Sequence, residues 1–235
     1  MKVLTGMVVL VAVVATSVAA PAAADARTAV EPVQKIVVLF KAHSVFAKPT
    51  ARRRSGTIGA SRPITRGQAA LPVIGRTTTK DGGLWFKVML PGRPNGRKGW
   101  IGRSGTALTS TNWHIVVRTS SRRALVYLKG RLVRSFGAIV GKPSTPTPHG
   151  EFFIEENVRM PSGAPGAPFA LALSARSNVL QEFEGGPGQI GIHGIANLGG
   201  TIGTAVSHGC VRLSNGNVTW LAARVPPGAP VTIRS

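Results

Sequence analysis

Ile192 to Asn215 reads IHGIANLGGTIGTAVSHGCVRLSN. It holds the single cysteine of the chain, Cys210, and two of its five histidines, His193 and His208. Glycines at 191, 194, 199, 200, 203 and 209 surround them. The thiolate is the reactive form of cysteine, and a free thiol is only slightly ionised at neutral pH. An imidazole within reach takes the proton and raises the thiolate fraction. A tetrahedral acyl intermediate then needs N–H donors aimed at its oxygen. Gly209 lets the amides around Cys210 turn inward without a side-chain clash. Arg212 lies two residues past Cys210, on the same face if the segment is extended, where a guanidinium can grip a carboxylate through two bonds. These residue types suit a nucleophile site. The competing reading is plainer: a lone cysteine as a small buried hydrophobe, His208 as a turn residue and Arg212 as a surface charge.

The order of the motifs narrows the choice. His193-Gly194 comes first, thirteen residues (194–206) separate His193 from the next motif, and Ser207-His208-Gly209-Cys210-Val211-Arg212 follows. This pattern resembles the active-site signature of the YkuD-like L,D-transpeptidase family. Ile195 departs from it, since the family often carries Thr or Ser there, and the departure touches a secondary polar contact. The resemblance implies a mostly β fold with Cys210 as nucleophile and His193 as base, its ring oriented by the backbone carbonyl of Gly194. It implies an oxyanion hole from the amides around His208, Gly209 and Cys210, with Ser207 and His208 as supporting groups rather than the base. Arg212 is expected to bind a stem-peptide carboxylate or to steady the site. The implied reaction attacks the amide after the third, diamino-acid residue of a tetrapeptide stem of peptidoglycan and releases D-Ala. The acyl group then passes to the side-chain amine of a second stem. Donor and acceptor stem peptides are the expected partners.

Moving outward, the N-terminus bears on the compartment. Lys2 precedes an apolar run from Val3 to Ala20, and PAAADA follows. A charged start, an apolar centre and small residues at the end read as a secretory signal peptide over 1–26, with an uncleaved membrane anchor as the alternative. Export changes the meaning of the cysteine: one Cys cannot form an internal disulfide, and an odd thiol outside the cytosol is a candidate reactive group.

The 235 residues carry 29 Lys plus Arg against 8 Asp plus Glu, a formal charge of +21. Such an excess favours acidic partners or surfaces, or forms a solvated face with no ligand. With an export signal, anionic cell-wall polymers are the expected partner. Nucleic acid is not, because the basic runs lack interleaved aromatic residues.

Residues 35–105 read as a small all-β unit. IVVLF (36–40) and LWFKVML (84–90) are strand candidates, and PGRPNGRKGWI (91–101) places Pro-Gly and Asn-Gly turns before a short strand. LPVIGR, LWFKV and GWI resemble a bacterial Src-homology-3-like barrel, which implies a wall address or a spacer rather than a chemistry. Trp85 and Trp100 are expected in its core. Residues 106–112 read as a polar connector into a catalytic domain spanning 106–235. In that domain Lys129-Gly130 suggests a β-hairpin, and the prolines of KPSTPTPHGEFFI (142–154) interrupt pairing. PSGAPGAP (161–168) holds neither helix nor ladder; by resemblance it is a loop or lid over the cleft. Glu182 and Glu184 are a weaker acid-pair candidate, and His43, His114 and His149 read as exposed turn residues. NVTWLAARV (217–225) reads as a short helix capped by Asn215 or Asn217, ended by Pro226-Pro227, and PVTIRS (230–235) as a closing strand.

No Cys/His spacing suits zinc, and no glycine-rich phosphate loop is present, so no metal or cofactor is expected. The preferred reading is an exported cysteine acyltransferase that crosslinks stem peptides. The alternatives are a non-catalytic wall-binding module, or the same acyl-enzyme used for hydrolysis or for attaching protein to peptidoglycan.

Overall fold

The computed structural model of the chain describes residues 30–182 and 185–235. The expected signal peptide, 1–26, and Glu184 lie outside the described residues. In chain order the strands are β1 (Gln34–Leu39), β2 (His43–Val45), β3 (Gly56–Ile58), β4 (Ala70–Thr78), β5 (Leu84–Met89), β6 (Lys98–Gly102), β7 (Thr106–Thr111), β8 (Trp113–Arg118) and β9 (Arg123–Leu128). There follow β10 (Arg131–Gly137), β11 (Val140–Gly141), β12 (Gly150–Arg159), β13 (Phe169–Arg176), β14 (Gln189–His193), β15 (Ala205–Ser207), β16 (Val211–Arg212), the helix α1 (Asn215–Ala222) and β17 (Pro230–Arg234). The fold is mostly β with a short helix near the C-terminus, as the sequence suggests.

The first sheet has the order β6-β5-β4-β1-β7. Its β5–β6 register sets Phe86 opposite Ile101 and Lys87 opposite Trp100. Phe86 and Ile101 join Val37, Leu39, Leu71 and Val88 in one core. Because successive side chains point to opposite faces, Trp85 and Trp100 fall on the other side, half-buried. There Trp85 meets Phe46 edge-on at 5.5 Å. The expectation that both tryptophans are core residues is therefore corrected; the pleat assigns that place to their neighbours.

The expected connector at 106–112 is also corrected. Thr106–Thr111 is β7, which pairs antiparallel with β1 along its whole length. It is an edge strand whose central residues are exposed, so it carries no apolar alternation, and its β-branched threonines are the only strand signal.

The second sheet has the order β10-β9-β8-β17-β12-β13-β14-β16. Its β9–β10 hairpin turns at Lys129 (φ 51) and Gly130 (φ 74), the two left-handed residues of a tight primed turn. The closing strand β17 lies between β8, parallel, and β12, antiparallel. β12 is shared by both hydrophobic cores. Phe152 packs in the core of the second sheet and the adjacent Phe153 in that of the first. A bulge follows between Ile154 and Glu156, and it leaves Glu155 and Glu156 both buried, at 3% and 2% exposure.

The helix begins at Asn215 with Ser214 as its cap; the Ser214 Oγ accepts the Asn217 N–H at 3.4 Å. The expected caps were Asn215 or Asn217. Asn215 is instead drawn into a tertiary contact, its Oδ1 accepting the Ile195 N–H at 2.9 Å. Two histidines also differ from expectation. His43 is buried, and His114 is half-buried on β8, its Nε2 2.8 Å from the Thr232 hydroxyl. His149 is exposed.

Candidate active site

β14 and β16 run parallel, with Ile192 opposite Val211 and His193 opposite Arg212. This register closes the long gap between the two motifs. Cys210 precedes β16 and reaches β14: the Gly191 N–H donates to Cys210 Sγ at 3.4 Å, and the Gln189 carbonyl lies 4.0 Å from the same sulfur. The thiol is half-buried. His193 stands two residues beyond Gly191 on the same strand, also half-buried.

His193 Nδ1 is 2.8 Å from the Gly194 carbonyl. A carbonyl only accepts, so Nδ1 carries the proton and Nε2 is the basic nitrogen of the neutral ring. Burial lowers the imidazole below its ordinary 6.5; the Gly194 carbonyl opposes this and the Arg212 guanidinium adds to it. The ring is neutral, and so basic, at neutral pH.

The segment 161–168 packs against this histidine. The Gly194 N–H donates to the Gly166 carbonyl at 2.8 Å. A Cβ on Gly194 would run into the Ala167 carbonyl, and one on Gly166, where φ is +84, would come within 2.7 Å of His193 Nδ1. Only glycine fits either place.

Ser207 is fully buried and closes the turn that presents the thiol. Its Oγ donates to the Cys210 carbonyl at 2.6 Å and accepts the Gly209 N–H at 3.2 Å. Lys142 N–H donates to the Ser207 carbonyl at 2.9 Å. The Gly209 N–H donates to Ser207 and the Gly194 N–H to the Gly166 carbonyl. His208 is exposed.

Arg212 is half-buried and donates through one terminal nitrogen to the Gly199 carbonyl at 2.7 Å. It ties down the loop 195–204 as well as lying near His193. Glu182, half of the expected acid pair, is exposed. Among the described residues no group of three or more His, Cys, Asp or Glu could hold a metal ion.

Three contributors escaped the sequence reading: Gln189 and Gly191 through their main chain at the sulfur, and Asn215 at Ile195. Their signal is weak because two of them act through backbone atoms that any residue carries. QIGIH as a strand leading into His193 was the available hint.

A mostly β chain with a half-buried thiol, held beside a strand that ends in a half-buried neutral histidine, has the parts of an acyl-transfer site. A family model described as the L,D-transpeptidase catalytic domain, YkuD, matches residues 112–233, and the chain belongs to that family. A Bacillus subtilis (strain 168) protein bearing the name L,D-transpeptidase YkuD is 38% identical over 121 residues, covering 52% of this chain and 65% of its own. L,D-transpeptidase 1 of Mycobacterium tuberculosis H37Rv is 32% identical over 130 residues, covering 50% of this chain and 49% of its own. The chain thus spans 65% of the length of the first of these relatives and 49% of the second. A solved L,D-transpeptidase from Mycobacterium tuberculosis H37Rv superposes with a TM-score of 0.46 at 18% identity, over 83% of this chain and 99% of that one, an overlap too loose to carry residue correspondences.

Proposed function

We propose that the chain catalyses acyl transfer on peptidoglycan stem peptides, with Cys210 as nucleophile and His193 as base. The carrying observation is on β14, where the Gly191 N–H faces the sulfur and His193 is held with Nε2 as its basic nitrogen. The thiol gives its proton to Nε2, and the thiolate attacks the carbonyl carbon of the amide after the third stem residue. The C–N bond breaks, the imidazolium proton goes to the departing D-Ala amine, and a thioester remains. The side-chain amine of a second stem then attacks the thioester and yields a proton to His193, and the thiolate leaves. Oxyanion donors would come from the amides around His208, Gly209 and Cys210. Arg212 steadies the 195–204 loop through Gly199 and offers its remaining donors to a stem carboxylate.

The wider setting belongs to the same reading. Residues 1–26 direct export, although among the described residues no helix is long and apolar enough to cross a membrane. Residues 35–105 form a Src-homology-3-like module. The charge of +21 draws the protein to anionic wall polymers in a salt-dependent way.

The test is product analysis with a tetrapeptide-stem muropeptide as donor and a second stem as acceptor. Wild type should give free D-Ala and a dimer joined between third-position residues, and Cys210→Ala should give neither. D-Ala release by Cys210→Ala would overturn the assignment. D-Ala without dimer would move the acceptor to water or to another amine.

A further inference from the structure

Loops of the first sheet converge on the segment that feeds β14. Arg62, between β3 and β4, donates to Glu155 Oε2 at 3.2 Å, with both side chains buried. Thr65, on the same loop, donates its N–H and hydroxyl to Glu156 Oε2 at 2.7 and 2.8 Å. Arg93, between β5 and β6, donates to the carbonyls of Ser177, Leu180 and Pro187 at 2.9, 2.8 and 2.8 Å. Asn95 exchanges two 2.8 Å bonds with the main chain of Arg176.

The other oxygen of Glu155 accepts from Arg176 at 3.0 Å and from Gln189 Nε2 at 3.1 Å. Gln189 Nε2 also donates to the Leu173 carbonyl at 2.9 Å. Gln189 opens β14. Its own carbonyl lies 4.0 Å from Cys210 Sγ, the Gly191 N–H reaches that sulfur two residues on, and His193 ends the strand.

Burial pushes the Glu155 carboxyl up, against the pull of Arg176 and Arg62 and with the push of Glu156. A buried ionic cluster of this kind is weak evidence for stability, because apolar replacements are often neutral or better. What it supplies here is a fixed position for the start of β14.

We propose that Gln189 is a positioning residue for the acyl-transfer thiol, and that the first sheet sets its place through Arg62 and Glu155. This rests on Cys210 being the nucleophile. With its amide held by Glu155 and Leu173, Gln189 keeps the 189–191 main chain against the sulfur. The Gly191 N–H at 3.4 Å then favours the thiolate, since a hydrogen bond to the charged form lowers a group's proton affinity, and it outweighs the Gln189 carbonyl, which accepts from the thiol at the longer 4.0 Å. A loosened strand withdraws that donor, and the thiol holds its proton more tightly.

The experiment compares full-length wild type with Gln189→Met, and with the double variant Arg62→Met/Glu155→Gln, which removes the Arg62–Glu155 ion pair as a unit while Arg176 keeps its bonds to the Leu173 and Ala175 carbonyls. Alkylation of Cys210, the single thiol, by iodoacetamide is followed against pH, together with donor acylation and thermal unfolding. Both variants should show the alkylation midpoint displaced to higher pH. Acylation should slow by on the order of tenfold while the donor KM changes less. Arg62→Lys should restore part of the loss. Folded variants with lower melting temperatures but wild-type alkylation profiles would overturn the proposal, leaving the cluster purely structural. If Gln189→Met does not fold, the double variant and Arg62→Lys decide by the same profile. Alkylation needs no donor, so a wild type that alkylates normally but never acylates would sink the function and leave the positioning result standing.

Discussion

His193 Nδ1 donates to the Gly194 carbonyl at 2.8 Å, which leaves Nε2 as the basic nitrogen of the neutral ring. Burial holds that ring below its ordinary 6.5, so protonation of His193 sets in only at lower pH. The acidic limb of kcat/KM for D-Ala release should lie below pH 6.5, with activity rising as pH rises through it. A limb centred above pH 6.5 contradicts this assignment. His193→Gln should lower the acylation rate by about 10²–10⁴-fold, with little change in melting temperature.

Gly166→Ala should damage catalysis through the histidine. The added Cβ meets His193 Nδ1 at 2.7 Å on a backbone with φ of +84. Acylation should fall by roughly 10²-fold, as misplacement of a reacting group does. Gly163→Ala is the matched control: it has φ of +79 and nothing within 4 Å of its Cβ. It should lose about 1 kcal/mol of stability from the backbone alone and keep the wild-type rate. Equal rates for the two variants would separate the 161–168 segment from the site.

Ser207→Ala removes one donor and one acceptor from a fully buried turn. The orphaned Gly209 N–H and Cys210 carbonyl should cost about 1–3 kcal/mol in denaturant unfolding. The alkylation rate of Cys210 should change as well, because the same hydroxyl shapes the turn that presents the sulfur. A variant as stable as wild type would show that the turn does not depend on these bonds.

His114 should impose a pH dependence on stability. Burial first, then Arg234, lowers its imidazole from 6.5 to about 4. Between those values the unfolded chain binds a proton that the folded chain does not. The contribution is therefore complete above pH 6.5 and is lost as pH falls toward 4, by about 2–3 kcal/mol. Unfolding free energies at pH 7 and pH 4.5 should converge between wild type and His114→Gln as the pH drops, because the variant lacks this proton. Parallel curves would place the effect elsewhere.

The elements with local chemistry were readable in the sequence: the Lys129-Gly130 hairpin, the strands at 84–90 and 230–235, and the two motifs that meet across β14 and β16. What escaped depends on long-range choices. The pleat decided that Phe86 and Ile101, not Trp85 and Trp100, fill the first core. Edge exposure hid β7, whose threonines carry no apolar period. Asn215 lost the helix cap to Ser214 because Ile195, twenty residues earlier, claims its side chain. The direction of the Gly209 amide follows from Ser207 folding back on it. Gln189, Glu155 and Arg62 stand far apart in sequence, and nothing local in any of them announces that they meet.

Everything in the proposed reaction depends on Cys210 carrying the acyl group. Intact-protein mass after incubation with a tetrapeptide-stem muropeptide tests it most directly, with Cys210→Ala alongside. Wild type should gain the mass of the acylated tripeptide portion of the donor while D-Ala is released, and the variant should gain nothing. A folded wild type with an alkylatable thiol, no adduct and no D-Ala would contradict it.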